Sequence, residues 1–242
     1  MTYCVGLKLN EGLVLLSDTR TNAGLDNIAT YRKMFFFENP GERVIAVMTA
    51  GSLSVTQTTL GRLQEAVEDD MADETTSIML APTMLQVASI IGDCLSRTRR
   101  EITEQLRDFR QMQASASLIV AGQRAGGDMR LFLIYPEGNF IEATEDTPFL
   151  QIGEHKYGKP LLDRVITPAT NLDDAQKAVL LSMDSTLRSN LSVGMPLDLA
   201  VIEKDRCAVG LHRRILKDDP DFARISQAWS HALRDSFVRI SL

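Results

Sequence analysis

The chain has 242 residues, 44% hydrophobic and 24% charged, with 26 basic against 32 acidic side chains for a net charge of −6. That apolar fraction excludes a disordered chain and is enough for a large core in one soluble domain. The acidic surplus disfavours nucleic acid as a partner, and the longest apolar runs, such as Val44-Ile45-Ala46-Val47-Met48, are too short to span a membrane.

The first eight residues, Met1 to Lys8, hold neither a basic n-region nor an apolar h-region. No signal peptide is expected, and the working chain is expected to start here, less Met1. Three scattered cysteines, Cys4, Cys94 and Cys207, then read as reduced thiols in the cytoplasm. Three scattered histidines, His155, His212 and His231, make no zinc site, so neither metal nor cofactor is expected.

Residues 2–9 alternate, with Tyr3, Val5, Leu7 and Leu9 on one face and Cys4, Gly6 and Lys8 on the other, which predicts a half-buried strand. Asn10-Glu11-Gly12 is a hairpin turn, and Leu13 to Leu16 a second, more buried strand. The polar stretch 17–24 must bend away. Lys33 to Phe37 and Arg43 to Thr49 read as the third and fourth strands, joined by the turn Asn39-Pro40-Gly41-Glu42; Ala50-Gly51-Ser52 ends the fourth. The period then changes: Leu60, Leu63, Val67 and Met71 predict a helix over 52–71. Pro82 is placed to open a second helix, as its first helical residue, running to about Gln113 with an arginine-rich outer face of Arg97, Arg99, Arg100, Arg107 and Arg110. Strands follow at 117–121, 129–135, 139–143 and 149–152, then a short helix near 155–163 and a longer one over 173–189. Two strands, 197–203 and 207–212, lead to a last helix over about 221–239, on which Trp229 is a packing anchor or subunit contact. Runs of strands and runs of helices point to α+β layers rather than a βαβ parallel sheet. No linker, repeat or low-complexity tract divides the chain, so 1–242 reads as a single domain.

Several chemistries have no motif here. There is no Gly-x-Ser-x-Gly and no His-Glu-x-x-His. Gly153 to Pro160 has the glycine spacing of a phosphate loop, but Pro160 stands where a magnesium-binding hydroxyl belongs, and Glu154 would repel phosphate. What remains is Thr2. Loss of Met1 would expose its α-amine, whose ordinary pKa is about 8. That amine can take the proton of its own hydroxyl without any histidine. A lysine nearby would keep the amine partly neutral and favour the alkoxide, a carboxylate would hold the lysine, and a backbone N–H at a strand-to-helix bend would stabilise an oxyanion. Asp18, Lys33 and Gly51 stand where those parts are needed. Each also has an inert reading: a loop carboxylate, a solvated strand end and a helix cap.

Taken together, Thr2 with its alternating strand, Ser17-Asp18-Thr19-Arg20, Tyr31-Arg32-Lys33, Thr49-Ala50-Gly51-Ser52 and Ser192-Val193-Gly194-Met195-Pro196-Leu197-Asp198 resemble the proteasome β-subunit superfamily of N-terminal nucleophile hydrolases. Ile152 to Pro160 and Met183 to Pro196 resemble its bacterial ancestral β-subunit branch, Anbu. The resemblance covers essentially the whole chain. It implies a four-layer αββα sandwich, self-assembly into a ring or open helical ring, and a cofactor-free threonine peptidase site acting on peptide or isopeptide-like amide bonds. By position, Thr2 would be nucleophile and base, Lys33 the tuning charge, Asp18 its partner, Gly51 the oxyanion donor and Ser192 an accessory hydroxyl. Thr21, Tyr31, Thr49 and Leu53 would line the specificity pocket. Peptide-ligase-like and transglutaminase-like functional neighbours are implied as well. Two positions depart from the superfamily: Ser189 stands where an aspartate is usual, and Glu154 where a serine is usual, which puts a carboxylate among the groups around Thr2. Asp184 is a further candidate near the site, and His155 a loop or interface residue. Two other readings stay open, a hydrolase of small amides and a non-catalytic scaffold retaining the fold.

Overall fold

The computed structural model describes residues 2–22, 28–106 and 114–241. The expected hairpin forms β1 (Tyr3–Lys8) and β2 (Gly12–Asp18). Their register runs from Cys4↔Ser17 to Lys8↔Leu13, around a turn closed by the Leu9 N–H on the Gly12 carbonyl (2.9 Å). Gly12 serves packing as much as the turn, because a Cβ there would meet the Ile202 carbonyl of a neighbouring strand at 2.4 Å. Next come β3 (Arg20–Asn22), β4 (Ile28–Thr30), β5 (Met34–Asn39) and β6 (Arg43–Gly51). Helices α1 (Leu53–Glu68) and α2 (Met84–Gln105) follow, then β7 (Ala116–Arg124), β8 (Arg130–Ile134), β9 (Phe140–Glu142) and β10 (Phe149–Gly153). Helices α3 (Lys159–Val165) and α4 (Leu172–Ser189), strands β11 (Leu197–Glu203) and β12 (Leu211–Ile215), and α5 (Pro220–Arg239) complete the chain.

The strands build two five-stranded antiparallel sheets, β10-β1-β2-β11-β12 and β5-β6-β7-β8-β9, and β3 pairs with β4 in a small ribbon. Three apolar clusters account for the packing. Cys4, Leu13 and Leu15 of the first sheet pack with Met48, Ile119 and Leu131 of the second. The opposite face of β1, with Tyr3, Val5 and Leu7, packs on Ala178, Val179 and Met183 of α4. The outer face of the second sheet, with Val47, Leu118 and Phe132, packs on Val55, Val87, Ile91 and Leu95 of α1 and α2. Strand alternation thus sorts side chains between a sheet–sheet core and a helix–sheet core. Gly6 is the small residue on the inner face of β1, where a Cβ would press to 2.9 Å from Leu131 Cδ1.

The element order matches the sequence reading, with four corrections. Pro82 does not start α2: the Thr83 hydroxyl caps it by accepting the Gln86 N–H (3.1 Å), which leaves Pro82 just outside. The stretch after Asp18, expected only to bend away, holds the unforeseen strand β3, which pairs with β4. The strand expected at 207–212 lies at 211–215, because Asp205 (φ 65°) and Cys207 (φ 47°) adopt left-handed backbone that breaks the run. It is also an edge strand, held through Arg214, whose guanidinium donates twice to the buried Asp198 carboxylate across from it (2.8 and 2.9 Å). Asp184 is no site residue: its carboxylate takes Arg188 and Ser226 and so ties α4 to α5. Met1, residues 23–27, Arg107, Arg110 and the expected end of the second helix near Gln113 lie outside the described residues. Among the described residues no helix is long and apolar enough to cross a membrane.

Tyr3 anchors the start of β1. Its ring is fully buried, its hydroxyl lies 2.6 Å from Ser182 Oγ on α4, and Gln151 Nε2 donates to it at 2.5 Å. Burial pushes its pKa up to about 12, against those two hydrogen bonds. The folded state therefore holds the phenol proton more tightly than the unfolded chain does, so this contribution is intact below pH ~10 and is lost as pH rises toward ~12. Tyr3→Phe should cost about 1–3 kcal/mol at neutral pH, because it orphans the buried Ser182 hydroxyl and the half-buried Gln151 amide. In denaturant melts the gap between the variant and the parent should narrow above pH ~10. A gap that stays constant to pH ~11.5 would contradict this account.

Candidate active site

Thr2 stands immediately before β1 and is 8% exposed. Its carbonyl accepts the Glu154 N–H at 2.7 Å. The preceding Gly153, paired with Tyr3 across β10, has φ +81°, and a Cβ on it would fall 1.9 Å from the Thr2 carbonyl oxygen. Glycine alone lets β10 close over the chain start. The glycines of the loop that looked phosphate-like therefore serve this packing: a Cβ on Gly158 would strike Ser182 Oγ and the Tyr3 hydroxyl (2.3 and 2.6 Å).

Asp18 ends β2, fully buried beneath Thr2. Its Oδ1 accepts the Tyr3 N–H (3.1 Å) and Lys33 Nζ (2.7 Å), and its Oδ2 accepts the Gly194 N–H (3.2 Å). Burial pushes the Asp18 carboxyl up, while Lys33 and the two amides pull it back. Lys33, 5% exposed, also donates to the Arg20 carbonyl (2.6 Å). An ammonium has three N–H donors, so one remains beyond those two bonds.

Gly51 closes β6 at φ +110°, where a Cβ would collide with the Ser115 carbonyl at 2.3 Å. Ser52 N donates to Ser115 on the β7 side, and Thr49 N donates to Lys33 on the β5 side. Donors alternate sides along an antiparallel strand. The Gly51 N–H therefore points the same way as that of Thr49, toward an edge that β5 has already left.

These parts meet in a cavity of about 190 Å³ lined by Thr2, Thr21, Lys33, Thr49, Ala50, Gly51, Leu53 and Thr56. Six of the eight were expected; Ala50 and Thr56 were not. Tyr31, expected there, is 39% exposed and outside the lining, its N–H spent on the Thr19 carbonyl. A larger cavity of about 540 Å³ between α1 and α2 contains none of the expected site residues, and the Arg62–Glu101 pair sits on its wall.

The expected accessory residues sit at the end of α4, in the loop after it and just after β10. Ser189 is the exposed last residue of α4. Glu154 and Ser192 do not line the cavity, and the Glu154 carboxylate accepts from Asn190 Nδ2 (3.1 Å). Asn190 Oδ1 in turn accepts the Ser192 N–H (2.9 Å). The loop after α4 is further strapped down by Arg20, which donates to the Leu191 carbonyl (2.9 Å), and by the Thr19 hydroxyl, which donates to the Pro196 carbonyl (2.6 Å). Gly194 packs against the Arg20 guanidinium so closely that a Cβ would lie 2.2 Å from Cζ. Sequence reasoning missed Asn190, Thr19 and Arg20 as builders of the site. Arg20 was inside a recognised motif, but nothing local announces that it clasps a loop about 170 residues away.

The sequence model of the proteasome subunit family matches residues 2–202. Among solved structures, a Gly-1 mutant of Anbu from Hyphomicrobium sp. strain MC1 is 48% identical over 100% of this chain and 99% of its own, with a TM-score of 0.93. Anbu, the ancestral β-subunit, from Yersinia bercovieri is 43% identical over 99% and 98%, with a TM-score of 0.90. A helical assembly of the Anbu complex from Pseudomonas aeruginosa is 44% identical over 99% and 97%, also with a TM-score of 0.90. A comparison with curated proteins finds no match. The buried Asp18–Lys33 pair beneath Thr2 thus occurs in a chain that belongs to the proteasome subunit family, in its Anbu branch.

Proposed function

We propose that this chain is one subunit of a self-assembling threonine hydrolase that cleaves peptide or isopeptide-like amide bonds, with Thr2 as N-terminal nucleophile after loss of Met1. The observation that carries the reading is the shared cavity of Thr2, Lys33 and Gly51 over the buried Asp18. The freed α-amine of Thr2 takes the Oγ1 proton as Oγ1 attacks the amide carbon. Lys33, fixed by Asp18 and the Arg20 carbonyl, favours the developing alkoxide, and the Gly51 N–H meets the oxyanion. The C–N bond breaks as the α-ammonium passes its proton to the leaving amine, leaving an ester on Thr2. Water, deprotonated by the same amine, hydrolyses that ester and restores the hydroxyl. The cavity walls of Thr21, Thr49, Leu53 and Thr56 fit a modest side chain without strong charge preference.

The three apolar clusters support a four-layer αββα stacking in a single domain. Self-assembly is supported by the relatives and by α5. That helix has no buried residue, and its apolar stripe of Phe222, Ile225 and Trp229 packs on the body, then continues through Leu233, Phe237 and Ile240 into solvent. Phe237 and Ile240 are 79% and 74% exposed, which fits contact with a second copy. A cytoplasmic location is supported by the free cysteines Cys4, Cys94 and Cys207.

Met1-free protein treated with a threonine-directed electrophile should gain one adduct by intact mass. Thr2→Ala should gain none, and Lys33→Ala should react at least about 100-fold more slowly, as expected for a lost preorganised charge. No adduct on Met1-free parent protein would favour the scaffold reading, and an adduct surviving Thr2→Ala would reassign the nucleophile. The double variant Phe237→Asp/Ile240→Asp should sediment as a smaller species at matched concentration with unchanged circular dichroism. Unchanged sedimentation would remove α5 from the assembly contact.

A further inference from the structure

Asn190 occupies the cap after α4 and is nearly buried, 9% exposed. Its side chain makes two bonds of opposite sense, donating to the Glu154 carboxylate and accepting from the Ser192 N–H. A carboxylate can only accept and an N–H can only donate, so the two partners fix which way the amide faces. Each partner belongs to a segment that touches the site. Glu154 gives its own N–H to the Thr2 carbonyl, and the loop containing Ser192 gives the Gly194 N–H to Asp18. Asn190 is thus the side chain through which these two segments are joined.

The Glu154 carboxylate is anchored beside Thr2 by its backbone, yet its side chain is turned to Asn190. Among the described residues, the charged side chains on the segments bonded to Thr2, Tyr3 or the ion pair are Lys33 ahead of β5, Asp18 at the end of β2, Arg20 on β3 and Glu154 after β10. Asp18 is committed to Lys33 and two amides, and the Arg20 guanidinium to the Leu191 carbonyl. Among the described residues, the Glu154 carboxylate is held aside by the single side-chain hydrogen bond from Asn190. Released, it could pair with the ammonium form of Thr2 and keep the base protonated.

We propose that Asn190 is a positioning residue of the Thr2 site, which holds the Glu154 carboxylate away from the Thr2 amine and ties the 191–196 loop to the segment that clasps Thr2. This deepens the reading of Thr2 as nucleophile and rests on it. Its test does not need catalysis. In Met1-free protein, the pH dependence of acetic anhydride acylation at the Thr2 α-amine, read from the mass of the N-terminal peptide, reports that amine's titration midpoint. Asn190→Ala should raise the midpoint by about one unit or more, the scale of an opposite charge within a few ångströms. Asn190→Asp keeps an acceptor for the Ser192 N–H but repels Glu154, and should raise it as well. The double variant Asn190→Ala/Glu154→Gln should return it to the parent value. A midpoint unmoved in Asn190→Ala, or moved equally in the double variant, would overturn the proposal. Failure of the parent to label with the threonine-directed electrophile would be a separate result, against the nucleophile reading alone.

Discussion

A buried ion pair organises the chain start. Asp18 and Lys33 sit 2.7 Å apart with almost no solvent access, and each has other partners besides the other. Desolvating two charges is costly, and their attraction repays the cost only when the remaining donors and acceptors are satisfied. That condition determines much of the surrounding structure. Tyr3 N and Gly194 N satisfy the carboxylate, and the Arg20 carbonyl takes a second ammonium N–H. Each of these donors and acceptors is backbone, so it can be in place only if β1, β3 and the loop after α4 converge there.

That convergence explains the glycines at the site. Gly153 must be bare for β10 to pass the Thr2 carbonyl, Gly194 must be bare for the Arg20 guanidinium to lie over it, and Gly51 must adopt positive φ to leave its N–H on the open edge of β6. Three approaches of backbone to backbone or guanidinium leave the small cavity beside the ion pair. Arg20 contributes twice, its carbonyl to Lys33 and its guanidinium to Leu191, so one residue links the ion pair to the accessory loop.

The legible part of this was local. Alternation in residues 3–9 sorts Tyr3, Val5 and Leu7 onto the helix-facing core and Cys4 onto the inter-sheet core, because the strand period is a direct consequence of backbone geometry. The hairpin turn set the register that brings Asp18 under the chain start, and the change of period after Gly51 marked α1. The resemblance carried the set Thr2, Asp18, Lys33 and Gly51 where spacing alone left each inert reading open. Distant side-chain bonds were not legible. Asn190 looks like an ordinary helix-ending residue until Glu154 is seen 3.1 Å away, and Asp184 was a candidate near the site until Arg188 and Ser226 were found on it. The strand near 207–212 was misplaced because nothing in the identities of Asp205 and Cys207 announces the left-handed backbone that delays β12 to Leu211.

The most direct test is the structure of Met1-free protein after reaction with a carbonyl-containing threonine-directed electrophile. The account predicts continuous density from Thr2 Oγ1 to the electrophile, its oxygen within hydrogen-bond distance of the Gly51 N–H, and Lys33 Nζ still paired with Asp18 and turned to Thr2 Oγ1. Density on another side chain, or an adduct oxygen directed away from Gly51 with Lys33 withdrawn from the cavity, would contradict it.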